Sequence, residues 1–401
     1  MKERIIVTGA AGFIGSHVVK KLLGEGYFVI GLDNMNDYYN PLQKEQNIKQ
    51  FDLFDNFSFY KTDIENFDEL ESIFEKEEPS LVCHLAARAG VRSSILSPQI
   101  YESTNVQGTI NLLELSRIND IKNFVYASSS SVYGDSKEYP FIESLSPLQP
   151  KSPYAVTKLA CESYAQTYSR LHGLNTTGLR FFTVYGPAAR PDMATFLFVD
   201  SVHKGKDIIQ YGQGDTFRDY TFVGDIADGV LEAVKKPLGC EIINLGRGCP
   251  VSLSVLIKTI EDIMGKKASI KIESKQDFDS SGTHADITKA KKLLGYNPKT
   301  DLKDGLVEFV NWYNENYDIL SVYPNPFNAA TTISFEMGNA SLVSLRVFDV
   351  QGREVDCLKY GQLAAGKHEF TFDASGLSSG IYFAKLEAGD YQKTVKLLLM
   401  K

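Results

Sequence analysis

The sequence predicts an α/β fold, with a doubly wound parallel sheet and a smaller α/β lobe, followed by a C-terminal all-β sandwich. Three observations predict it. A short β-branched run, Ile5-Ile6-Val7, leads directly into a glycine-rich turn. Strand and helix patterns then alternate up to about residue 317, at the spacing of parallel strands joined by crossover helices. From residue 318 onward, short alternating runs separated by Gly, Asn and Asp turns are typical of a small immunoglobulin-like sandwich.

The first strand pattern and the turn after it form a candidate nucleotide site. Arg4–Thr8 is expected to be a buried strand, and the glycines that follow let the backbone turn tightly and approach a pyrophosphate. A helix that begins near Phe13 directs unpaired N–H groups at the same anion. We therefore expect a Rossmann-type dinucleotide site, as opposed to an ordinary β-turn-α unit, that is lined by Gly9, Gly12, Phe13, Ile14 and Gly15.

The second strand pattern indicates which dinucleotide binds. Phe28–Leu32 ends at Asp33, about the distance from the glycine turn at which a carboxylate holds the adenosine ribose hydroxyls. A carboxylate would repel the 2′-phosphate of NADP. NAD is therefore the expected cofactor.

The remaining α/β pattern places further polar residues at strand ends, where ligands bind in sheets of this kind. We predict strands at 57–60, 81–86 and 124–127, and helices at 66–77 and 100–117. The strand ends carry Asp63, Ala86-Ala87-Arg88 and Ser128–Ser131. His84, by contrast, lies inside an apolar strand, which is typical of a hydrogen-bonded core histidine.

A Tyr–Lys pair supplies a candidate base. In Ser152-Pro153-Tyr154-Ala155-Val156-Thr157-Lys158 the tyrosine precedes the lysine by four residues, which places phenol and ammonium one helical turn apart on one face. A cation beside a phenol favours the phenolate, and so does an oxidised nicotinamide. Such a tyrosine can take a proton from a sugar hydroxyl. The spacing alone is common in surface helices, so its weight comes from the nucleotide site before it.

Composition excludes several other classes of function. The chain has 401 residues, of which 43% are hydrophobic and 23% charged, with a formal net charge of −8. An acidic balance without a basic cluster disfavours nucleic acid, and no apolar run approaches the roughly 20 residues of a membrane span. The five scattered cysteines indicate neither a disulfide framework nor a metal site. Because Met1-Lys2-Glu3 passes straight into the first strand, we expect no signal peptide and a cytoplasmic protein.

Several motifs in register identify a family. TGAAGFIG, HLAARAGVRSS, SSSSVYG, SPYAVTK, LRFFTVYGPAARPDMA and FRDYTFVGDIADG occur in the order found in extended short-chain dehydrogenase/reductases. Among these, residues 1 to about 317 most resemble the UDP-glucuronate 4-epimerases. The resemblance implies NAD-dependent epimerisation of a UDP-sugar, by oxidation at C4 to a ketone, rotation of the sugar and reduction from the opposite face.

The resemblance also implies roles for individual residues. Tyr154 would be the proton acceptor and donor, Lys158 would support it and hold the nicotinamide ribose, and Ser129 would bond the sugar's 4-oxygen. The neighbouring Ser128, Ser130 and Ser131 leave the serine uncertain by a residue. The remaining cofactor contacts would come from Asp63 and Ile64 at the adenine, from Ala86, Ala87 and Arg88 along the pyrophosphate and nicotinamide, and from the positioning residue Asn105. A serine run that only satisfies backbone groups, and an Asp63 that only caps a helix, remain the plainer alternatives.

The UDP-sugar is expected in the lobe near residues 178–317. The resemblance assigns the diphosphate to Arg218, whose guanidinium can form forked bonds to phosphate oxygens. A sugar carboxylate would be read by Thr183, Arg190 and the stretch from Arg88 to Arg92, and Ser130 and Asp286 complete the expected substrate set.

One departure from the family pattern weakens the argument for a uronate. Where the family has GPRGRPDM, this chain has Gly186-Pro187-Ala188-Ala189-Arg190-Pro191-Asp192-Met193, so one of two arginines is missing. UDP-glucose/UDP-galactose epimerisation therefore stays as the main alternative. A dehydratase or decarboxylase is disfavoured because Ser131 stands where those relatives have an acidic residue. A cofactor-binding scaffold without turnover is disfavoured by the complete Ser, Tyr and Lys set.

The resulting domain prediction has three parts: residues 1–177 for NAD, with later segments returning to that sheet, 178–317 for the UDP-sugar, and 318–401 for the sandwich. The last part, with YPNPFNAATTISFEM, FDVQGREV and the terminal KTVKLLLMK, resembles a type IX secretion C-terminal sorting domain. That family implies contact with a secretion machinery, in conflict with the cytoplasmic expectation. A gene-fusion relic or an interaction domain would resolve the conflict.

The enzyme family further implies a homodimer formed by the helices near 100–117 and 154–171.

Overall fold

The computed structural model describes residues 3–274, 280–317, 320–337, 340–364, 366–389 and 391–401. The chain divides into two compact units, Met1–Val310 and Asn311–Lys401. The sequence places the start of the all-β module at residue 318, which lies outside the described residues. Within the described ranges, no helix combines the length and the apolar character that crossing a membrane requires.

The first unit contains thirteen strands within the described residues. They are β1 Arg4–Thr8, β2 Phe28–Asp33, β3 Phe57–Lys61, β4 Leu81–His84, β5 Asn123–Ser129, β6 Thr176–Phe181, β7 Thr183–Tyr185, β8 Asp207–Tyr211, β9 Phe217–Arg218, β10 Tyr220–Phe222, β11 Cys240–Leu245, β12 Val251–Ser252 and β13 Ser269–Glu273. Seven of them form the main sheet in the order β11-β6-β5-β4-β1-β2-β3, and every pairing in it is parallel. The predicted doubly wound parallel sheet is confirmed.

Helices connect these strands. They are α1 Phe13–Gly24, α2 Pro41–Lys49, α3 Phe67–Glu77, α4 Val91–Leu96, α5 Pro98–Tyr101, α6 Gly108–Ile118, α7 Pro153–His172, α8 Ala194–Lys204, α9 Val223–Lys235, α10 Leu253–Met264, α11 Thr288–Leu294 and α12 Leu302–Tyr317. Apolar side chains such as Ile6, Val82, Leu112 and Phe124 are fully buried between sheet and helices. Each contributes about 1.5–3 kcal/mol through removal of its surface from water.

The strand order places the functional end of the sheet. The chain moves outward from β1 to β2 and β3 on one side, then returns to β4 on the other side of β1. Crossover connections therefore diverge between β1 and β4, and such a switch point leaves a crevice at the carboxyl ends of the strands. Thr8 lies opposite Leu32 on β2 and opposite His84 on β4, so these carboxyl ends meet at one edge.

The helix predicted at 100–117 is interrupted. After α5, residues Glu102–Gln107 form a π-helical turn, and the regular helix α6 begins only at Gly108. Such turns occur mostly where a side chain must be re-aimed for function. The strand predicted at 81–86 ends earlier, at His84, because the backbone N–H of Ala86 turns to bond the Thr8 hydroxyl at 3.1 Å.

After the last residues of α12, at 311–317, the described part of the second unit is all-β, as predicted. Its strands are β14 Leu320–Tyr323, β15 Ala330–Met337, β16 Ser341–Asp349, β17 Glu354–Leu363, β18 Gly366–Asp373, β19 Gly380–Ala388 and β20 Tyr391–Leu399. They form two antiparallel sheets, β14-β15-β18 and β17-β16-β19-β20, with a shared apolar core that includes Ile333, Val347, Phe372 and Leu386. The sequence predicts strands at 331–335, 343–350, 368–372, 381–386 and 394–399, which correspond to β15, β16, β18, β19 and β20, but it predicts neither β14 nor β17. β17 is an edge strand with irregular register and few buried side chains, so its sequence lacks clear alternation.

Candidate active site

A cavity of about 540 Å³ lies at the carboxyl ends of the central strands. It is lined by most of the residues that the sequence singles out, and both predicted ligand sites therefore converge on one space. Those residues are Gly9, Gly12, Phe13, Ile14, Gly15, Asp33, Asp63, Ile64, Ala86, Ala87, Arg88, Ser129, Ser130, Tyr154, Lys158, Thr183, Arg190 and Arg218.

The glycine turn between β1 and α1 has no room for side chains. Gly9 has φ +68°, which favours glycine, and a Cβ on it would lie 2.8 Å from the backbone nitrogen of Ala86. A Cβ on Gly15 would overlap the carbonyl oxygen of Gly9. The N-cap of α1 is Gly12, which offers no capping side chain, so the first N–H groups of the helix remain for an anion. This cradle fits a dinucleotide pyrophosphate.

Two carboxylates mark the adenosine end of the cavity. Asp33 Oδ1 accepts bonds from the backbone N–H of Met35 at 2.9 Å and from Lys44 Nζ at 3.2 Å. Asp63 accepts from the Asn34 side chain at 2.7 Å. The plainer interpretation of Asp63 as a helix cap is wrong, because α3 is capped by Asn66, whose side chain accepts from the Glu69 N–H.

Helix α7 presents the Tyr–Lys pair. Ser152 caps the helix by accepting from the Ala155 N–H at 3.2 Å, and Pro153 fits the first helical position. Tyr154 therefore lies in the first turn, half-buried at the cavity, with its ring edge-on to Tyr101. Lys158 is only 4% exposed, and its Nζ donates to the carbonyl of Ala127 on β5 at 2.8 Å.

The structure narrows the choice among the four serines at the end of β5. Ser128 is buried and donates to Glu162 Oε1 at 2.5 Å, so its hydroxyl is occupied within the protein. Ser129 Oγ accepts from both the N–H and the hydroxyl of Ser131, at 3.2 and 2.9 Å, and still lines the cavity. Ser129 keeps its own proton for a ligand oxygen, which agrees with the predicted role.

Sequence reasoning missed a buried ion pair beneath this strand end. Arg180 on β6 makes two 2.8 Å bonds to Glu162, and both side chains are almost fully buried. The same guanidinium lies 4.7 Å from the ring centroid of Tyr133. Glu162 follows Lys158 by one helical turn, so the pair anchors the inner face of α7 to β5 and β6. The i+4 spacing from Lys158 places Glu162 on the same face of α7, but no sequence signal indicates Arg180 as its partner.

Asn105 belongs to the π-helical turn and does not line the cavity. Its side chain accepts from the Arg88 N–H at 2.8 Å, donates to the Arg88 carbonyl at 3.0 Å and donates to the Thr157 hydroxyl at 3.0 Å. It therefore joins the loop after β4 to helix α7. The expected positioning role has a geometric basis, whereas direct contact with a cofactor has none in this arrangement.

Positive charge collects at the substrate end. Arg190 forms a forked pair with Asp192, with both bonds 2.9 Å long, and both Arg190 and Arg88 lie 5.6 Å from the Tyr38 ring centroid. Burial alone would raise the pKa of Asp192, but the bonds from Arg190 outweigh it and lower that pKa. Arg218 is oriented at the cavity by the carbonyls of Phe217 and Ser280, each at 2.9 Å.

Two expected substrate residues are not brought to the cavity. Arg92 lies on α4 and does not line the cavity. Its guanidinium is 4.3 Å from the ring centroid of Tyr211. Asp286 accepts from the Thr288 N–H at 2.8 Å, so it supports the start of α11. Local helix and ring contacts, which motif position does not reveal, hold both side chains. Thr183, by contrast, begins β7 at the cavity as expected.

His84 is the core histidine that the sequence predicts. Its ring nitrogens bond the hydroxyls of Thr8 at 2.8 Å and Thr109 at 3.0 Å, and it is 4% exposed. Burial, with a further contribution from the charge of Lys158, lowers its pKa to about 3. The ring is therefore neutral at physiological pH.

The Rossmann-type sheet, the glycine turn and the Tyr154–Lys158 pair define a dinucleotide-dependent enzyme. A model of the NAD dependent epimerase/dehydratase family matches residues 5–246, and a model of the secretion system C-terminal sorting domain matches residues 321–400. The chain belongs to the NAD-dependent epimerase/dehydratase family and carries a C-terminal sorting domain.

Individual relatives indicate which members of this family the chain most resembles. UDP-glucuronate 4-epimerase of Thermodesulfobacterium geofontis is 45% identical over 316 residues, which cover 79% of this chain and 97% of the relative. UDP-glucuronic acid 4-epimerase from Bacillus cereus, solved with UDP-glucuronic acid and NAD, has a TM-score of 0.75 at 36% identity, covering 78% of this chain and all of its own. UDP-glucose 4-epimerase from Thermotoga maritima, solved with UDP-glucose, has a TM-score of 0.72 at 34% identity, covering 78% and 98%. The similarity thus extends to enzymes for both sugars.

Proposed function

We propose that this protein is an NAD-dependent UDP-sugar 4-epimerase that converts UDP-glucuronate to UDP-galacturonate. The observation that carries the proposal is a single cavity that is lined by the glycine cradle and Asp33, by Tyr154, and by Arg190 and Arg218. Such a cavity holds a dinucleotide and a nucleotide-sugar with the reacting tyrosine where they meet.

The side chains have complementary tasks. Tyr154 takes the proton of the C4 hydroxyl and later returns it, and the buried ammonium of Lys158 follows it by one helical turn. Ser129 donates to the 4-oxygen. NAD, when bound, supplies the hydride acceptor and donor. Arg218 holds the diphosphate, which lets the sugar turn about its linkage without leaving the site.

UDP-glucose remains a second candidate because of the Arg190–Asp192 pair. The forked bonds of Arg190 to Asp192 use the Nε–H and one of the two N–H groups of Nη2. Three N–H groups are left for a sugar carboxylate, but the charge of Asp192 already offsets that of the guanidinium. Ala188, at the position of the missing arginine, and its neighbour Ala189 are both buried. If Arg190 does not leave Asp192 on binding, a neutral sugar is the better ligand.

The test is to incubate the full chain and NAD with UDP-glucuronate or UDP-glucose and resolve products by proton NMR. We expect UDP-galacturonate, and a much higher kcat/KM for the uronate. Arg190→Ala should lower kcat/KM for UDP-glucuronate about tenfold or more, as loss of a charge-assisted bond would, with little change for UDP-glucose. Product from UDP-glucose alone would refute the uronate assignment, and no product from either despite bound NAD would refute the epimerase.

We also propose that the enzyme acts as a homodimer through the segment 98–118 and helix α7. These elements expose the apolar side chains of Ile100, Val156, Tyr164 and Leu171. Val156→Asp should convert the dimer to a monomer in light scattering, whereas Leu53→Asp, at an exposed site on neither element, should not. A wild-type monomer, or crosslinks elsewhere, would refute this interface.

For the cellular address we propose the cytoplasm, with the C-terminal unit as a fusion relic or an interaction module. NAD and UDP-sugars, which the first unit would need, are cytoplasmic metabolites. The sorting-domain match supports the opposite outcome, in which the unit contacts a secretion machinery. Fractionation of the native host decides, because protein in the medium or on the cell surface would overturn the cytoplasmic proposal.

A further inference from the structure

Lys44 stands at the adenosine end of the cavity without a role in the chemistry proposed above. It is 5% exposed, lies on α2, and lines the cavity together with Asp33. Its ammonium is 3.2 Å from Asp33 Oδ1 and 3.3 Å from Asn36 Oδ1. A lysine is rarely this buried unless it is paired.

The bonds of the pair leave one carboxylate oxygen for a ligand. Oδ1 of Asp33 receives both Lys44 and the Met35 N–H, whereas no bond to Oδ2 is found within the described part of the chain. Oδ2 is thus left for a ribose hydroxyl. Lys44 fixes the orientation of the carboxylate and also offsets the negative charge that a cofactor meets there.

The opposite charges imply a specific consequence, which rests on the proposed use of NAD. We propose that Lys44 determines cofactor specificity. Its ammonium could bind the 2′-phosphate of NADP, but its pairing with the Asp33 carboxylate prevents this. With Asp33 charged, the ammonium is neutralised and a 2′-phosphate meets a carboxylate. With Asp33 neutral, Lys44 becomes an unpaired buried cation at the cavity, and an anion on the ribose restores its partner.

A double-substitution cycle tests this assignment. The quantity measured is the ratio of Kd for NADP to Kd for NAD, by calorimetry on full-length protein freed of copurified nucleotide. Asp33→Asn should lower that ratio in the otherwise wild-type protein and should lower it less in the Lys44→Met protein. The two decreases should differ by a factor of about ten to a hundred, as one charge-assisted bond implies. The pair 2′,5′-ADP and 5′-AMP, which differ only in the 2′-phosphate, repeats the comparison with the adenosine end alone.

Each outcome decides something. A merely structural Lys44 would weaken both nucleotides equally, leave the ratio unchanged in Lys44→Met, and give Asp33→Asn the same effect in both backgrounds, which would overturn the inference. If Asp33→Asn fails to fold by its thermal midpoint, Asp33→Ser takes its place in the cycle. Wild-type protein that binds neither NAD nor NADP would instead refute the proposed function as well.

Discussion

Lys158 donates a 2.8 Å hydrogen bond to the backbone carbonyl of Ala127, two residues before Ser129. The bond ties α7 to the end of β5, so the ammonium and the serine hydroxyl reach the cavity from a common anchor. Lys158→Met should lower kcat by about a hundredfold or more, as loss of a group that assists proton transfer does. Lys122→Met, at an exposed lysine, is the matched control and should leave kcat unchanged. Equal activity of the two variants would remove Lys158 from the mechanism.

Tyr154→Phe removes the proposed proton acceptor while keeping the ring against Tyr101. We expect kcat to fall by at least about a hundredfold, with NAD still bound and the unfolding transition unchanged. Tyr323→Phe, at a tyrosine of the second unit that is 82% exposed, should have no effect on kcat. Retained turnover in Tyr154→Phe, measured by NMR of the product, would contradict the assignment.

Alanine substitutions of the adjacent serines at the end of β5 should have different effects, one on stability and the other on kcat. Ser128→Ala removes a buried bond to Glu162 and should lower the free energy of unfolding by about 1.5–3 kcal/mol, as measured by urea titration. Ser129→Ala should leave stability within about 1 kcal/mol and lower kcat roughly a hundredfold. If Ser128→Ala instead loses activity at full stability, the catalytic serine has been placed one residue too late.

The site residues predicted from sequence reach the cavity where their backbone position alone decides their place. Gly9 directly follows β1, Asp33 is the last residue of β2, and Gly15 lies in the first turn of α1. The backbone therefore brings them to the crevice whatever the neighbouring side chains do. Arg92 and Asp286 are different, because nearby groups compete for them: the Tyr211 ring for one and the start of α11 for the other. The position of a residue within a motif does not show which neighbouring groups its side chain will contact.

The sequence also does not reveal side-chain partners that come from distant segments of the chain. The Glu162–Arg180 pair joins a helix to a strand, and Lys44 reaches Asp33 from a helix whose sequence has no marked apolar face. The π-helical turn at 102–107 breaks no sequence rule, since a helical pattern continues through it. Its cause is tertiary: Asn105 must bond Arg88 and Thr157 at once.

Two glycines in α1 should respond oppositely to alanine. Gly15→Ala puts a methyl group into the Gly9 carbonyl and should cost about 1–3 kcal/mol of stability and weaken NAD binding. Gly24→Ala, where an added Cβ has nothing within 4 Å, should gain about 0.5–1 kcal/mol from helix propensity. Urea titration and calorimetry with NAD measure both. A Gly15→Ala variant as stable as Gly24→Ala would mean that the turn relaxes and that close packing there is dispensable.

The buried neutral His84 should make stability depend on pH. Its pKa of about 3 in the folded chain lies below the ordinary 6.5, so between these values the unfolded chain binds more protons and stability falls as pH falls. From pH 7.5 to 5.5 this histidine should remove about 1.4 kcal/mol from the free energy of unfolding. His84→Gln keeps a donor and an acceptor for Thr8 and Thr109 but cannot titrate, so it should escape that part of the loss. Urea titrations at the two pH values measure the difference between the proteins. Identical pH dependence would show that His84 takes up its proton without unfolding, and that burial does not hold it neutral.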